Sequence, residues 1–193
     1  SQLDFFRQLG PQLAAFYRAL NRLYADSLRG LQPAWVAGYL DQGKPEGLLT
    51  YSRMKRFRDQ LPSVIRPDVI PTQDGMVITE LDSVPGGIGM TACLSALYPE
   101  RETGGSLTLV GGSDGMVRGF ADMVKAQPAE HSGCVAILMS EEAIDYRPEM
   151  TWLAARLRAI GLDAYCVEPR HIRFTEEGLR VIGEGMDQPI ALI

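Results

Sequence analysis

The run from Cys134 to Met139, Cys-Val-Ala-Ile-Leu-Met, constrains this chain more than any other feature, because none of its side chains carries a charge. A strand that is apolar at every position cannot leave one face to water, so it belongs inside a sheet that is covered on both sides. The residues that follow agree with that placement. Pro148 to Ile160 reads as a helix with proline in its first turn and Gly161 at its end, and Leu162 to Val167 is a second apolar run. Strand, helix and strand make a βαβ unit, right-handed by the usual rule. Ile172 to Phe174 and Leu179 to Ile182 flank Glu176-Glu177-Gly178 as a small hairpin, and Pro189 to Ile193 reads as one more buried strand. The expected fold class is α/β, a mixed sheet with flanking helices.

Toward the N-terminus the pattern changes. Phe6, Leu9, Leu13, Phe16, Tyr17, Leu20, Leu23, Tyr24 and Leu28 recur at the three-and-four spacing of an amphipathic helix. Pro11 lacks a backbone donor, so the main helix is expected to start there or two helices to meet there. A second helix is expected over Tyr51 to Gln60, before Pro62. Val64 to Ile70 and Met76 to Leu81 surround Thr72-Gln73-Asp74-Gly75 as a hairpin, with Pro67 marking an edge strand. Pro85 to Gly89 is a glycine-rich loop. Met90 to Tyr98 then reads as a helix with Met90, Cys93, Leu94 and Leu97 inward, Leu107 to Val110 as a short strand, and Met116 to Lys125 as a helix. Residues 126–133, polar and containing Pro128 and Gly133, are the expected boundary between subdomains. The chain divides on this reading into a helical segment 1–62, an α/β region 63–128 and a βαβ module 129–193.

Composition narrows the function. Of the 193 residues, 46% are hydrophobic and 22% charged, the balance of a globular protein. The net charge is -5 with scattered basic residues, which argues against nucleic acid as a partner. The densest basic group, Arg53, Lys55, Arg56 and Arg58, is spaced as on a solvated helix face. Cys93, Cys134 and Cys166 are odd in number and lack metal-ligand spacing, as expected of free thiols in a reducing cytoplasm. There is no apolar run long enough for a membrane span and no signal-peptide order at the start. Ending on an apolar strand run points to a longer parent protein cut at Ile193. The apolar face of the N-terminal helix offers a surface for a second copy of the chain.

Chemistry concentrates between Arg66 and Gly89. On a strand, Glu80 and Asp82 share a face, where two carboxylates repel unless a cation or proton lies between them. Such hard oxygen donors suit Mg²⁺, which takes one or two carboxylates together with phosphate oxygens. Arg66, on the partner strand, could hold a carboxylate or phosphate in a two-pronged contact. The glycines of Pro85 to Gly89 would let a ligand approach backbone donors at a helix N-terminus. The alternative is structural: Arg66 bridges Asp68, Glu80 or Asp82 on an exposed sheet face, and the glycines serve the turn.

These residues resemble those of the circularly permuted ATP-grasp ligases and their relatives, glutathionylspermidine synthetase and eukaryotic-type glutathione synthetase. Those families share an arginine-x-aspartate strand, a glycine turn, and a strand ending in Glu-x-Asn before a proline- or serine-rich loop containing glycine. Here the matching residues are Arg66, Asp68, Gly75, Glu80, Asp82, Ser83, Pro85, Gly86, Gly87 and Gly89. The likeness continues through Val135 to Ser140, Glu141 to Asp145 and Tyr146-Arg147-Pro148-Glu149, covering most of residues 64–193. The resemblance implies a Rossmann-like pre-ATP-grasp module in the C-terminal part. It also implies substrate contacts at Arg66, Ser83, Pro85, Gly86 and Gly87, and Mg²⁺ binding at Glu80 with Asp82. The family forms an acyl phosphate from ATP and a carboxylate, which an amine then attacks. Two departures bear on this: Asp82 replaces the family's Asn, and no ATP-grasp lobe is present. ATP and Mg²⁺ are therefore expected with the full-length protein, where the missing lobe is supplied. No catalytic residue is assigned within these 193 residues.

A second reading is a ligand-binding or scaffold domain without catalysis. A third uses Gly111 to Gly115, between strand and helix, as a phosphate cradle, although Ser113 or Asp114 as a helix cap accounts for the same residues. His131 and His171 read as surface residues, Glu141, Glu142 and Asp145 as a solvated acidic loop, and Trp152 as core.

Overall fold

The computed structural model describes residues 2–98, 109–128, 132–183 and 185–193, folded as two compact units, Ser1–Val84 and Pro85–Ile193. The division falls after Val84, inside the segment 63–128, and not in the polar stretch 126–133.

The first unit begins with α1 (Gln2–Leu28), which runs unbroken through Pro11. The expected break does not occur because Pro11 and Arg7 both lie exposed, so water can satisfy the carbonyl that proline leaves without a donor. Leu9 and Leu13 are buried, as are Val36 and Ala37 of α2 (Ala34–Asp41), a helix the sequence reading did not anticipate. Pro33 at its N-cap has no side chain able to accept a hydrogen bond. Ser27 of α1 substitutes: its buried hydroxyl donates to the Pro33 carbonyl at 2.7 Å and accepts from the Ala37 N–H at 3.1 Å.

The helix expected over Tyr51–Gln60 is displaced. α3 spans Glu46–Ser52, and a separate 3-10 turn covers Lys55–Phe57. Consequently Arg53, Lys55, Arg56 and Arg58 do not share one solvated helix face. Arg53 folds back onto α1 and α2, while Arg56 lies over the rings of Tyr51 and Phe57 at 5.4 and 4.6 Å. β1 (Arg66–Thr72) and β2 (Gly75–Asp82) form the expected antiparallel hairpin, turning at Gln73-Asp74, with a register irregularity between Asp68 and Val69. In a two-stranded ribbon every strand is an edge, which is where Pro67 and Pro71 are tolerated.

The second unit is α/β. It contains α4 (Ile88–Leu97), α5 (Gly115–Lys125), β3 (Cys134–Leu138), α6 (Arg147–Ala159), β4 (Ala164–Val167), β5 (Ile172–Thr175), β6 (Gly178–Gly183) and β7 (Met186–Leu192). The sheet order is β4-β3-β7-β6-β5. β3 runs parallel to both β4 and β7, while β6 is antiparallel to β7 and β5, so the sheet is mixed. Alternate residues of β3 feed two cores. Val135 joins Ala92, Val117, Ala121, Met150, Leu153 and Leu157, the inner faces of the three helices. Cys134 and Ala136 join Val167, Val181 and Ile190 on the opposite face. Burial on both faces is what the unbroken apolar run required.

Pro189 sits within β7, between two partner strands. The β3–β7 register is irregular at Cys134/Val135, and Gly133 passes so near that an added Cβ would lie 2.3 Å from the Pro189 carbonyl oxygen. An irregular ladder beside a glycine is the setting in which a missing donor is accommodated.

Two details differ from the sequence reading. On α4, Met90, Leu94 and Leu97 are 58%, 45% and 64% exposed, and the buried residues are Gly89 and Ala92. α4 packs on α6 through small residues, which permit close backbone approach, in place of the large ones its periodicity favoured. Leu109 and Val110 are not strand; Leu107, like His131, lies outside the described residues. No helix among the described residues is long and apolar enough to cross a membrane.

Candidate functional site

At the open end of the hairpin the register places Arg66 opposite Asp82, and the Arg66 guanidinium donates to Asp82 Oδ2 at 2.8 Å. The other carboxylate oxygen, Oδ1, accepts from the Val84 N–H at 2.9 Å. Hydrogen bonds from the Val84 and Ser83 backbone, with the Arg66 charge, hold the Asp82 carboxyl below the usual carboxylate range against a desolvation acting the other way. Asp82 is therefore engaged on both oxygens. Glu80, opposite Asp68, is exposed and borders a shallow depression of about 450 Å³ between α1 and β2, with Phe16, Tyr17 and Leu20 on the helix side.

The two acids proposed for a cation thus differ in state. Asp82 already has a guanidinium as its counter-ion, and only Glu80 is left to offer ordinary carboxylate donors. Among the described residues no three His, Cys, Asp or Glu side chains converge as metal ligands. This donor set does not fit a protein-built Mg²⁺ site.

Arg66, Glu80, Asp82 and Ser83 belong to the first unit; Pro85, Gly86 and Gly87 belong to the second. In the second unit the loop does lead into a helix N-terminus, with Gly87 left-handed (φ 83°) at the N-cap of α4. Its donors are not open to a ligand in the way the loop sequence implied. Glu149 of α6 accepts from the Gly87 N–H at 2.8 Å and the Met90 N–H at 2.7 Å, so an internal carboxylate occupies the position an external anion would take.

The turn at Gly111-Gly112 has both glycines left-handed (φ 86° and 77°) and precedes α5 with Asp114 at the N-cap. Asp114 does not cap; its carboxylate pairs with Arg118 one turn later. Burial pushes the thiols of Cys134 and Cys166 up from the ordinary cysteine value. All three cysteines are free.

A polar constellation that the sequence reading missed lies in the helical part of the first unit. The Tyr24 hydroxyl donates to Asp41 Oδ1 at 2.7 Å, and Arg53 Nε donates to the Tyr24 oxygen at 3.1 Å, while the same guanidinium also pairs with Asp41. Desolvation pushes Asp41 up, but the Tyr24 and Arg53 hydrogen bonds and the charges of Arg53 and Lys44 outweigh it and leave its carboxyl below the ordinary value. Burial, first of several causes, pushes the Tyr24 hydroxyl up. The three groups lie on one wall of a cavity of about 590 Å³ whose other walls include Leu20, Leu28, Leu40 and Phe57. Only folding joins these residues, since they come from α1, α2 and the end of α3.

In comparisons with known proteins, no family model, no curated protein and no solved structure matches this chain.

Proposed function

We propose that this chain supplies the substrate-side hairpin of an ATP-dependent carboxylate–amine ligase, a cytoplasmic enzyme whose ATP lobe lies outside these residues. One observation carries the reading: Arg66 is anchored by Asp82 at the mouth of the hairpin, yet its side chain stays 39% exposed. A guanidinium anchored by Asp82 and still partly open to solvent is suited to receive the carboxylate of a second molecule. In ligases of this class ATP supplies the phosphoryl group that converts the acid to an acyl phosphate. The task of this chain is to bind and orient the acid. Arg66 holds the carboxylate, and the Asp82 contact keeps the guanidinium from collapsing onto other acids. No step is assigned to Glu80 and Asp82 through Mg²⁺, because Asp82 is already neutralised by Arg66. The three free thiols support a reducing compartment.

The test is calorimetric titration with amino acids and short acidic peptides, comparing Arg66→Ala and Arg66→Lys. A charge-assisted bidentate contact is worth about 1.5–3 kcal/mol, so Arg66→Ala should weaken carboxylate binding roughly tenfold or more. Unchanged affinity in Arg66→Ala, or no carboxylate binding at millimolar concentration, rejects the proposal.

A second reading, a binding domain without catalysis, is favoured by the engagement of both Asp82 oxygens. It predicts that carboxylates bind the protein, its ATP lobe included, while ADP never forms when ATP, Mg²⁺, acid and amine are supplied together.

A further inference from the structure

Arginines scattered from Arg18 to Arg58 in the sequence converge in the fold. Arg18 and Arg22 lie along one side of α1 with Arg29 in the turn just past its end, and Arg58 and Asp59 also line this groove of about 370 Å³. Asn21 helps to fix that second part of the lining, because its Nδ2 donates to the Gln60 carbonyl at 3.0 Å and ties the segment after α3 across the helix. We propose that this groove binds the phosphate group of a small molecule.

The charge balance points to a dianion. Asp26 takes up part of the charge, pairing with Arg29 and, at 3.8 Å, with Arg22. Neither Arg18 nor Arg58 has an acidic partner at ion-pair distance among the described residues. Set against Asp26 and Asp59, the four guanidiniums leave an excess of two positive charges. That matches a phosphate monoester, which carries about −1.5 to −2 near neutral pH. Arg18 and Arg22 are also four apart on the helix, a like-charge spacing that weakens a helix by itself. Local folding thus gains nothing from this pair, whereas a bound anion would be held by both. Planar guanidiniums from two segments of the chain can share the several oxygens of a tetrahedral phosphate, more than one carboxylate offers.

The rest of the ligand follows from the neighbouring cavity. The groove shares Asn21, Ala25, Arg29 and Arg58 with the space of about 590 Å³ beside Tyr24, so the two adjoin along those residues. Leucines and Phe57 line that larger space, with Tyr24, Asp41 and Arg53 on one wall. The molecule that fits both is a phosphorylated compound with an apolar or aromatic body. This site is independent of Arg66, and the two proposals can fail separately.

The probe is inorganic phosphate, which carries the charge of a monoester near neutral pH, titrated into the intact chain at low ionic strength by calorimetry and by ³¹P NMR. Binding should weaken at least tenfold in Arg18→Ala/Arg58→Ala and only in part in Arg18→Lys/Arg58→Lys, which keeps the charge and loses the fork. It should fall as salt is raised and be unchanged in Arg66→Ala. Lys55→Ala/Lys125→Ala, which removes two cations elsewhere, should also bind normally. Both arginines are exposed and have no ion pair among the described residues, so the fold should tolerate their loss, with Arg18→Lys/Arg58→Lys as a second readout should it not. Absence of phosphate binding, or equal weakening in the Lys55/Lys125 control, overturns the proposal.

Discussion

A Cβ built on Gly89 would lie 2.3 Å from the carbonyl oxygen of Glu149, closer than any real side chain approaches backbone. Helix propensity alone says Gly89→Ala should stabilise α4 by about 1 kcal/mol. The atom it meets is backbone of α6 and not a flexible side chain, so α4 and α6 must separate. The clash should win, with a net loss of about 2 kcal/mol. Urea unfolding of the variant would read it, and an unchanged midpoint would mean that α4 and α6 are not packed this closely.

The Glu149 carboxylate is the cap that α4 lacks locally. Glu149→Ala removes two charge-assisted acceptors from a partly exposed helix start and should cost about 1–3 kcal/mol. Glu149→Gln keeps one acceptor and should cost less. Amide exchange at Gly87 and Met90 should quicken in both, more in the alanine variant.

Ser27→Ala should cost about 1–2 kcal/mol, because the buried hydroxyl satisfies the Pro33 carbonyl and the Ala37 N–H together. Thermal unfolding followed by far-UV circular dichroism would measure the loss. Ser27→Thr, which keeps the hydroxyl, should recover part of it.

Asp82 predicts the sign of an acid effect. Its carboxyl is held below the ordinary value in the fold, so the unfolded chain binds the proton more tightly in the interval between the two. The contribution of Asp82 is complete above the unfolded value, near 3.8, and is lost as the pH falls through the folded one. Asp82→Asn should remove that part of the acid dependence, so that stability approaches the acid limb on a flatter slope. Urea midpoints measured from neutral to acidic pH in both proteins would decide it.

Elements whose cause is local were legible in the sequence. The apolar run at Cys134, the proline and glycine around α6, and the Asp-Gly turn of the β1–β2 hairpin each carry their reason within a few residues. The Arg66–Asp82 contact was also foreseeable, as one of the bridges a two-stranded register allows. What stayed hidden depends on partners distant in sequence. Glu149 caps a helix through Gly87, 62 residues before it, and Arg53 reaches Tyr24 across 29. α4 was read inside out because its periodicity marks large apolar residues, whereas the close approach to α6 selects Gly89 and Ala92. α2 was missed because it is short and its start is capped by a serine on another helix.

β7 joins what would otherwise be two separate ribbons, the parallel pair β3–β4 and the hairpin β5–β6. During synthesis on a ribosome, each ribbon can form as it emerges, but neither can be joined to the other until residues 186–192 have left the exit tunnel. Cys134 and Val135 therefore wait, half-covered, through the translation of every strand between them and their partners Ile190 and Leu192. A nascent chain stalled before Met186 should be the form of this protein most readily captured by chaperones.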